Sequence, residues 1–225
     1  METINGLNKQ STRVILSTAF ILVLWSLGSS ITTAGPWSAS VITFLLYTFY
    51  WFYAVKFKNQ LILRLAIIGT IAGFMELIAD YYLVSVINSL VYPAKEAMIW
   101  DSPAYMPFAW SNIILQLSFI GVLLTQKFKV LKASIILCIA GGMYIPLYEH
   151  LANNAGWWFY HPNTLMVFNA PVYIIISEAL ISLSLPMLIR LSEHNKIGKS
   201  IGLGILEGFW IVVSAMLGWK LVLIM

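Results

Sequence analysis

The chain has 225 residues, of which 60% are hydrophobic and only 10% charged, with a formal net charge of +4 and a mean hydropathy of +0.85. Soluble domains carry about 25% charged residues, so this composition excludes an ordinary soluble protein. The positive residues fall in short clusters between apolar runs and form no single basic face, so we expect the bilayer, and no nucleic acid, as the partner.

Apolar runs divide the chain into spans, each of which needs about 20 residues to cross a bilayer. We predict one all-α domain, a bundle of seven transmembrane helices at residues 13–33, 38–56, 62–89, 107–126, 131–150, 168–190 and 199–221. The sequence 28–30 after the first run leaves a cleaved leader open as an alternative. We expect the run to stay as a helix, since its loss would leave six spans and disturb the charge pattern.

The positive residues indicate the orientation, because cytoplasmic loops carry an excess of Lys and Arg. Of thirteen such residues, only Lys95 and Lys220 fall at the second end of the predicted spans. The others fall at the first end: Lys9, Arg13, Lys56, Lys58, Arg64, Lys127, Lys129, Lys132, Arg190, Lys196 and Lys199. This pattern predicts a cytoplasmic N-terminus and an outer C-terminus. We expect a multi-pass protein of a bacterial inner (plasma) membrane.

The third predicted helix carries two acids in an otherwise apolar run. Glu76 and Asp80 are one turn apart and therefore share a face. Gly69 and Gly73 form a G-x-x-x-G pattern near that face, which allows a second helix to approach closely. The acids are thus expected to point into the bundle. Pairing with neighbouring helices purely for packing is the alternative.

The next outer segment, 92–107, reads YPAKEAMIWDSPAYMP, and its Asp101 is a candidate for substrate binding. Its length and its mixture of aromatic and polar groups favour a lid over a cavity. An interfacial belt of aromatic residues is the competing interpretation. On the fourth helix, Asn112 and Gln116 share a face and are candidates for a polar network or for helix–helix hydrogen bonds.

The fifth predicted helix ends in a polar group. Pro146, which we expect to kink the helix and free backbone carbonyls, precedes Glu149 and His150. The second long outer segment, 150–168, contains NNAGWWFYHP. Its aromatic residues are candidates for shaping the outer end of a substrate pocket; they are Trp157, Trp158 and Tyr160.

The sixth helix is predicted to open with Asn169 and Pro171 and to carry Glu178 near the middle of the membrane. Asn169, like His150, is a candidate for substrate binding. At about 1.5 Å per residue, four acids on three helices fall in the outer half of the bundle. Ionisable groups at such depth are expensive and usually functional. We therefore predict that Glu76, Asp80, Glu149 and Glu178 face one site. Glu207 on the seventh helix lies towards the cytoplasmic side, and we expect it to be a structural partner.

The chemistry expected of such a site is proton transfer. A carboxylic acid desolvated in a low-dielectric pocket keeps its proton more readily, and two neighbouring acids cannot both ionise easily. A protonated acid can start a carbocation reaction at a double bond or epoxide, and a nearby carboxylate can take the final proton. We expect no cofactor and no metal, because His150, His161 and His194 have no recognisable ligand spacing.

The stretch 149–178 resembles the integral-membrane carotenoid and terpenoid cyclases, which include the lycopene cyclase domain and the fungal meroterpenoid cyclases. The residues that carry the resemblance are Glu149, Trp157, Trp158, Tyr160, Pro171 and Glu178. Lycopene cyclase domains carry a proline and a glutamate two residues apart, whereas seven separate them here. The resemblance implies acid-initiated cyclisation, with Glu76, Asp80 and Glu178 as candidate acids.

The leading hypothesis is a metal-independent membrane enzyme, a cyclase or isomerase, that acts on a lipid-soluble isoprenoid or similar lipid entering from the bilayer. Glu76 or Asp80 is the expected acid, and Glu178 or Glu149 the expected base. A proton-coupled transporter or channel that uses the same acids as a relay is the rival. Against it, no inverted repeat is visible. A non-catalytic membrane assembly partner is the third possibility.

Overall fold

The structure, a computed structural model, describes residues 4–93, 96–192 and 197–224. Lys95, His194 and Lys196 lie outside the described residues. Within these ranges the chain forms a bundle of seven helices: α1 (Lys9–Thr32), α2 (Pro36–Lys56), α3 (Gln60–Tyr81), α4 (Met106–Thr125), α5 (Val130–Ala155), α6 (Val172–Ser192) and α7 (Ile197–Ile224). All seven are long and apolar enough to cross a membrane, which confirms the predicted all-α fold.

Short two-residue strands complete the described structure. They are β1 (Leu90–Val91), β2 (Met98–Ile99), β3 (Ser102–Pro103), β4 (Phe159–Tyr160), β5 (Met166–Val167) and β6 (Ala170–Pro171). They pair as three antiparallel ladders, β1 with β4, β2 with β3 and β5 with β6. All six strands lie in the two long connections, 82–105 and 156–171, and we call the end of the bundle that carries them the hairpin end.

Several predicted helix ends differ from the structure by three residues or more, and three of them border the two long connections at the hairpin end. The fifth predicted span ends at residue 150, but the helix α5 continues through Pro146 to Ala155. It ends there because Gly156 adopts a left-handed φ of 73°. The sixth predicted span begins at residue 168, but Phe168 has a φ of 52° and lies in the β5–β6 hairpin. The helix α6 therefore begins only at Val172. Pro171 therefore precedes the helix. The third span was extended to residue 89, whereas α3 ends at Tyr81 and one π-helical turn follows it.

The helix α4 lies inside the bundle, where it contacts α1, α2, α3, α5 and α6. The most extensive helix pairs are α3 with α4 and α3 with α7, followed by α5 with α6 and α6 with α7. In contrast, α1 is the least buried span; it packs mainly on α5 and barely contacts α4. The bundle is thus tight around α3, α4 and α6 and open beside α1.

Close packing of α3 on α4 depends on the predicted glycine pair. A Cβ at Gly69 would lie 2.6 Å from the carbonyl oxygen of Ser111, and one at Gly73 would overlap the carbonyl oxygen of Pro107. Only glycine lets the two backbones come this close. Since Glu76 lies about one turn beyond Gly73, this contact holds the acidic face of α3 against the inside of the bundle.

The two long connections are joined to each other at the hairpin end. In the β1–β4 ladder, Leu90 pairs with Tyr160. Beside it, the backbone N–H of His161 donates to the carbonyl of Ser89 over 2.8 Å, and the Tyr173 hydroxyl on α6 donates to Ser89 Oγ over 2.6 Å. These bonds hold both connections over the same end of the bundle.

Candidate acidic cavity

The four predicted acids line one internal cavity near the hairpin end. Glu76 and Asp80 come from α3, Glu149 from α5 and Glu178 from α6. Glu76, Asp80 and Glu149 are only 2%, 3% and 6% exposed, respectively. The convergence expected from the sequence is therefore present, while the chemical roles of these residues stay predictions.

The pair on α3 is the most crowded part of the cavity wall. The side chains of Glu76 and Asp80 are close enough to interact electrostatically, and two neighbouring buried carboxyl groups cannot both ionise easily. The Tyr92 hydroxyl also donates to Asp80 Oδ2 over 2.6 Å. Glu76 Oε2 is buried and has no hydrogen-bond partner among the described residues. The pair is thus suited to hold a proton that it can pass on.

The other two acids differ in how firmly they are held. Trp158 donates its indole N–H to Glu149 Oε2 over 2.6 Å. Glu178 is half-buried, lies close enough to both Glu76 and Glu149 to interact electrostatically, and has no hydrogen bond to another described residue. Its carboxyl group is therefore the one most available to a molecule in the cavity.

The β1–β4 ladder forms the roof of the cavity. Alternate residues of a strand point to the same side, and Leu90 and Tyr92 on one segment and Trp158 and Tyr160 on the other all line the cavity. Burial, followed by the nearby acids, raises the pKa of the phenols of both Tyr92 and Tyr160 well above their usual range. Both phenols therefore stay protonated and can donate hydrogen bonds to the acids below.

Aromatic side chains surround the acids, and sequence reasoning missed four of them. These four are Tyr92, Trp110, Tyr144 and Tyr148. A signal for two was present, because Tyr144 and Tyr148 are one turn apart on α5 and lie beside Glu149. Trp110 on α4 has no comparable signal, since nothing in its local sequence shows which of the helices around α4 it faces.

The residues that line the acidic cavity limit which ligands the cavity can bind. Its volume is about 80 Å³, and none of the described residues that line it carries a basic side chain. Such a wall offers no partner for a phosphate or carboxylate, whereas its acids and aromatic faces suit a neutral or cationic group. Across the described ranges, no group of three or more His, Cys, Asp or Glu side chains is placed to share a metal ion.

Two predicted binding residues on α4 are instead engaged with α2. Asn112 donates to the backbone carbonyl of Thr43 over 2.9 Å, and Gln116 donates to the Tyr50 hydroxyl over 2.7 Å. Neither lines the acidic cavity. Both make the helix–helix hydrogen bonds that the sequence left open as the alternative.

Four further predicted binding residues do not line the acidic cavity: Asp101, His150, Trp157 and Asn169. His150 bridges Asn169 and Asn154, with its Nδ1 3.0 Å from Asn169 Oδ1. Asp101 accepts a hydrogen bond from Ser85 over 2.5 Å. Trp157 is buried and donates to Ser38 Oγ over 2.7 Å, towards α2. Of the three aromatic residues proposed for the outer pocket, Trp158 and Tyr160 line the cavity and Trp157 does not.

Glu207 is a further buried acid, and it does not line the acidic cavity. Its two carboxylate oxygens accept bonds from Ser184 on α6, over 3.0 and 2.8 Å. This pairing across α6 and α7 agrees with the structural role expected from the sequence.

The fold and the site together define a polytopic membrane protein with an internal cavity lined by acids and aromatic residues. The chain belongs to the family described as a domain of unknown function (DUF6989), whose family model matches residues 77–222. The matched region contains Asp80, Glu149 and Glu178 and begins directly after Glu76. No curated protein and no solved structure matches the chain.

Proposed function

We propose that this protein is a membrane-embedded isoprenoid-modifying enzyme, of the terpenoid or carotenoid cyclase or isomerase type, that uses carboxylic acids to start and end a carbocation reaction. The observation that carries the proposal is the convergence of four acids and six aromatic side chains on one internal cavity. Acids alone suit a relay or a packing network. Acids ringed by aromatic faces suit a reaction in which a cation forms and must be kept from water.

The reaction begins at the Glu76–Asp80 pair. The O–H bond of the protonated member breaks as a C–H bond forms at one carbon of a substrate double bond, and the other carbon becomes a cation. A second double bond of the same molecule attacks that cation and closes a ring. The acid pair suits this step, because two neighbouring buried carboxyl groups favour a proton on one of them.

The reaction ends at Glu178 or Glu149. A proton leaves the carbon next to the final cation, its electrons form a new double bond, and the carboxylate takes the proton. Glu178 is the better acceptor, because no hydrogen bond from a described residue occupies its oxygens. The product is an isomer of the substrate, so no oxidant, reductant or cofactor is needed.

The aromatic wall serves the cation between these two steps. Trp110 and Trp158 present the ring type that binds cations best, and Tyr144 and Tyr148 add two further faces. The site is enclosed by the β1–β4 roof. In the proposed orientation this roof lies at the outer face of a bacterial plasma membrane.

The test compares lipid extracts from cells with and without the protein by mass spectrometry. We expect an isoprenoid that is an isomer of its precursor. In D₂O, the purified protein should replace one hydrogen of the product by deuterium for each proton-initiated step. Purified protein supplied with squalene or lycopene in D₂O tests two defined acyclic polyenes. Unchanged lipids, together with a proton flux into liposomes that depends on the acids, would instead establish the relay function.

Variants of the acid pair connect the product to the site. Glu76→Gln and Asp80→Asn keep the side-chain volume but cannot supply a catalytic proton. At least one should accumulate normally in the membrane and lose about 10²-fold or more in activity, the usual scale for a general acid. Two fully active amide variants would reject acid catalysis by this helix.

A further inference from the structure

A second space lies beside the acidic cavity, on the side of α1. It is a groove of about 390 Å³ between α1, α4 and α5, and we call it the apolar groove. Its inner wall comes from α4, and Val23 and Leu147 at its rim are exposed. The groove exists because α1 packs on α5 but barely contacts α4.

The two spaces share part of their walls. Ile113, Tyr144 and Tyr148 line both the acidic cavity and the apolar groove. The phenols of Tyr144 and Tyr148 are close enough to Glu149 and Glu178 to interact electrostatically. Their hydroxyl groups therefore lie towards the acidic cavity, while their rings separate this cavity from the apolar groove. These two side chains therefore stand between the acidic cavity and the apolar groove.

The polar groups of the apolar groove are already occupied. Ser26 donates to the backbone carbonyl of Leu22 over 2.9 Å, and Gln116 donates to Tyr50. The rest of the lining is aliphatic apart from the two tyrosines. A hydrocarbon chain can fill such a surface without leaving a buried polar group unpaired.

We propose that the apolar groove holds the hydrocarbon chain of an isoprenoid substrate whose reacting end lies in the acidic cavity, with Tyr144 and Tyr148 as the gate between them. This inference rests on the proposed function and names its substrate class: a long, acyclic polyene without an anionic group. Size supports it. Ligand pockets usually measure about 300–1,000 Å³, so the acidic cavity alone is too small and the groove reaches that range.

The experiment uses a squalene analogue that carries a diazirine at one end, with the full-length protein in lipid nanodiscs. After irradiation, the labelled peptides are identified by mass spectrometry. Because either end of this probe can enter first, we expect labels both on the groove faces of α1 and α5 and on residues of the acidic cavity. Excess squalene should remove them, whereas excess phospholipid should not.

Matched variants test whether the groove itself is the binding site. Val23 and its neighbour Leu24 are 52% and 51% exposed, but only Val23 lines the groove. Val23→Trp should reduce specific labelling about tenfold by filling the groove, and Leu24→Trp should leave it unchanged. The pair Ala140→Trp and Ile139→Trp repeats the comparison on α5, since only Ala140 lines the groove.

The possible failures are distinguishable. Labelling spread over the lipid-facing sides of α2 and α7, competition by phospholipid, or labelling insensitive to Val23→Trp would overturn the groove proposal and leave the catalytic one standing. Specific labelling of the groove in a protein that converts no isoprenoid would reject catalysis and retain the binding site. Glu178→Gln should keep the labelling, because that carboxyl group acts on the reacting end and does not line the groove.

Discussion

Trp158 donates its indole N–H to the buried carboxyl group of Glu149 over 2.6 Å, and so ties the roof of the acidic cavity to the helix that forms its wall. The adjacent Trp157 points the other way and donates to Ser38 on α2. Two neighbouring tryptophans thus anchor one connection to two helices. The position of Glu149 therefore depends on Trp158, in the connection 156–171, as well as on α5.

Replacing these tryptophans should separate their roles. Trp158→Phe keeps an aromatic ring but removes the donor to Glu149, so we expect about 1–3 kcal/mol of lost stability together with reduced product formation. Trp157→Phe should cost about 1 kcal/mol and leave activity per folded molecule intact, because its bond to Ser38 lies outside the cavity. Thermal unfolding in detergent and product formation on the same samples measure both effects. Equal activity of the two variants would show that the Glu149 contact has no catalytic consequence.

A second comparison separates a cavity acid from a packing acid. Glu178→Gln should fold normally and lose about 10²-fold in activity, since its carboxyl group has no structural partner among the described residues. Glu207→Gln should show the reverse, lower thermal stability with activity per folded molecule retained, because Ser184 binds both Glu207 oxygens. Purified variants are assayed for both properties. A fully active Glu178→Gln protein would contradict the proposed proton acceptor.

The contact between α3 and α4 predicts a strong effect of one added methyl group. Gly73→Ala places a Cβ against the carbonyl oxygen of Pro107, and we expect a loss of about 1–3 kcal/mol or failure to accumulate. Gly202→Ala on α7 is the control, because no atom lies within 4 Å of its added Cβ. It should change stability by about 1 kcal/mol or less. Similar melting temperatures for both variants would show that α3 and α4 can move apart without a loss of stability.

Stability should fall with rising pH because of Glu96, which lies outside the spans. Burial, opposed by a hydrogen bond with Ser40, raises the pKa of its carboxyl group from 4.5 to about 7. Between these values the unfolded chain loses the proton while the folded protein keeps it, so the free energy of unfolding decreases as pH rises from about 4.5 to about 7. Glu96→Gln should flatten this part of the profile, measured as the melting temperature. If the variant and the unchanged protein have identical profiles, another group causes the pH dependence.

Orientation in the membrane is tested with reporter fusions. The Lys and Arg pattern predicts that a reporter after Met225 is active only outside the cytoplasm, and that one inserted between Arg190 and Ser200 is active only inside. Insertion after Lys127 provides an independent cytoplasmic position. Reversal of all three results would place the acidic cavity in the inner half of the membrane.

The sequence alone determined the class of fold and the convergence of the acids. Hydropathy over about 20 residues is a local property, and it located all seven helices. It misplaced those helix ends that a turn determines, such as the end of α5 at Gly156. Spacing by one turn put Glu76 and Asp80 on a common face, and Gly69 and Gly73 indicated that this face meets another helix. These inferences succeed because each depends on residues close together in the chain.

Only the tertiary structure decided which other residues share the cavity. Trp157 and Trp158 are neighbours with the same side chain, yet Trp157 bonds to Ser38 on α2 and Trp158 bonds to Glu149 on α5. Asn112 and Gln116 bond to α2, while Trp110 on the same helix reaches the acids. Which neighbour a side chain meets depends on the rotation of each helix and on how closely distant segments pack, and these are set by the whole bundle at once.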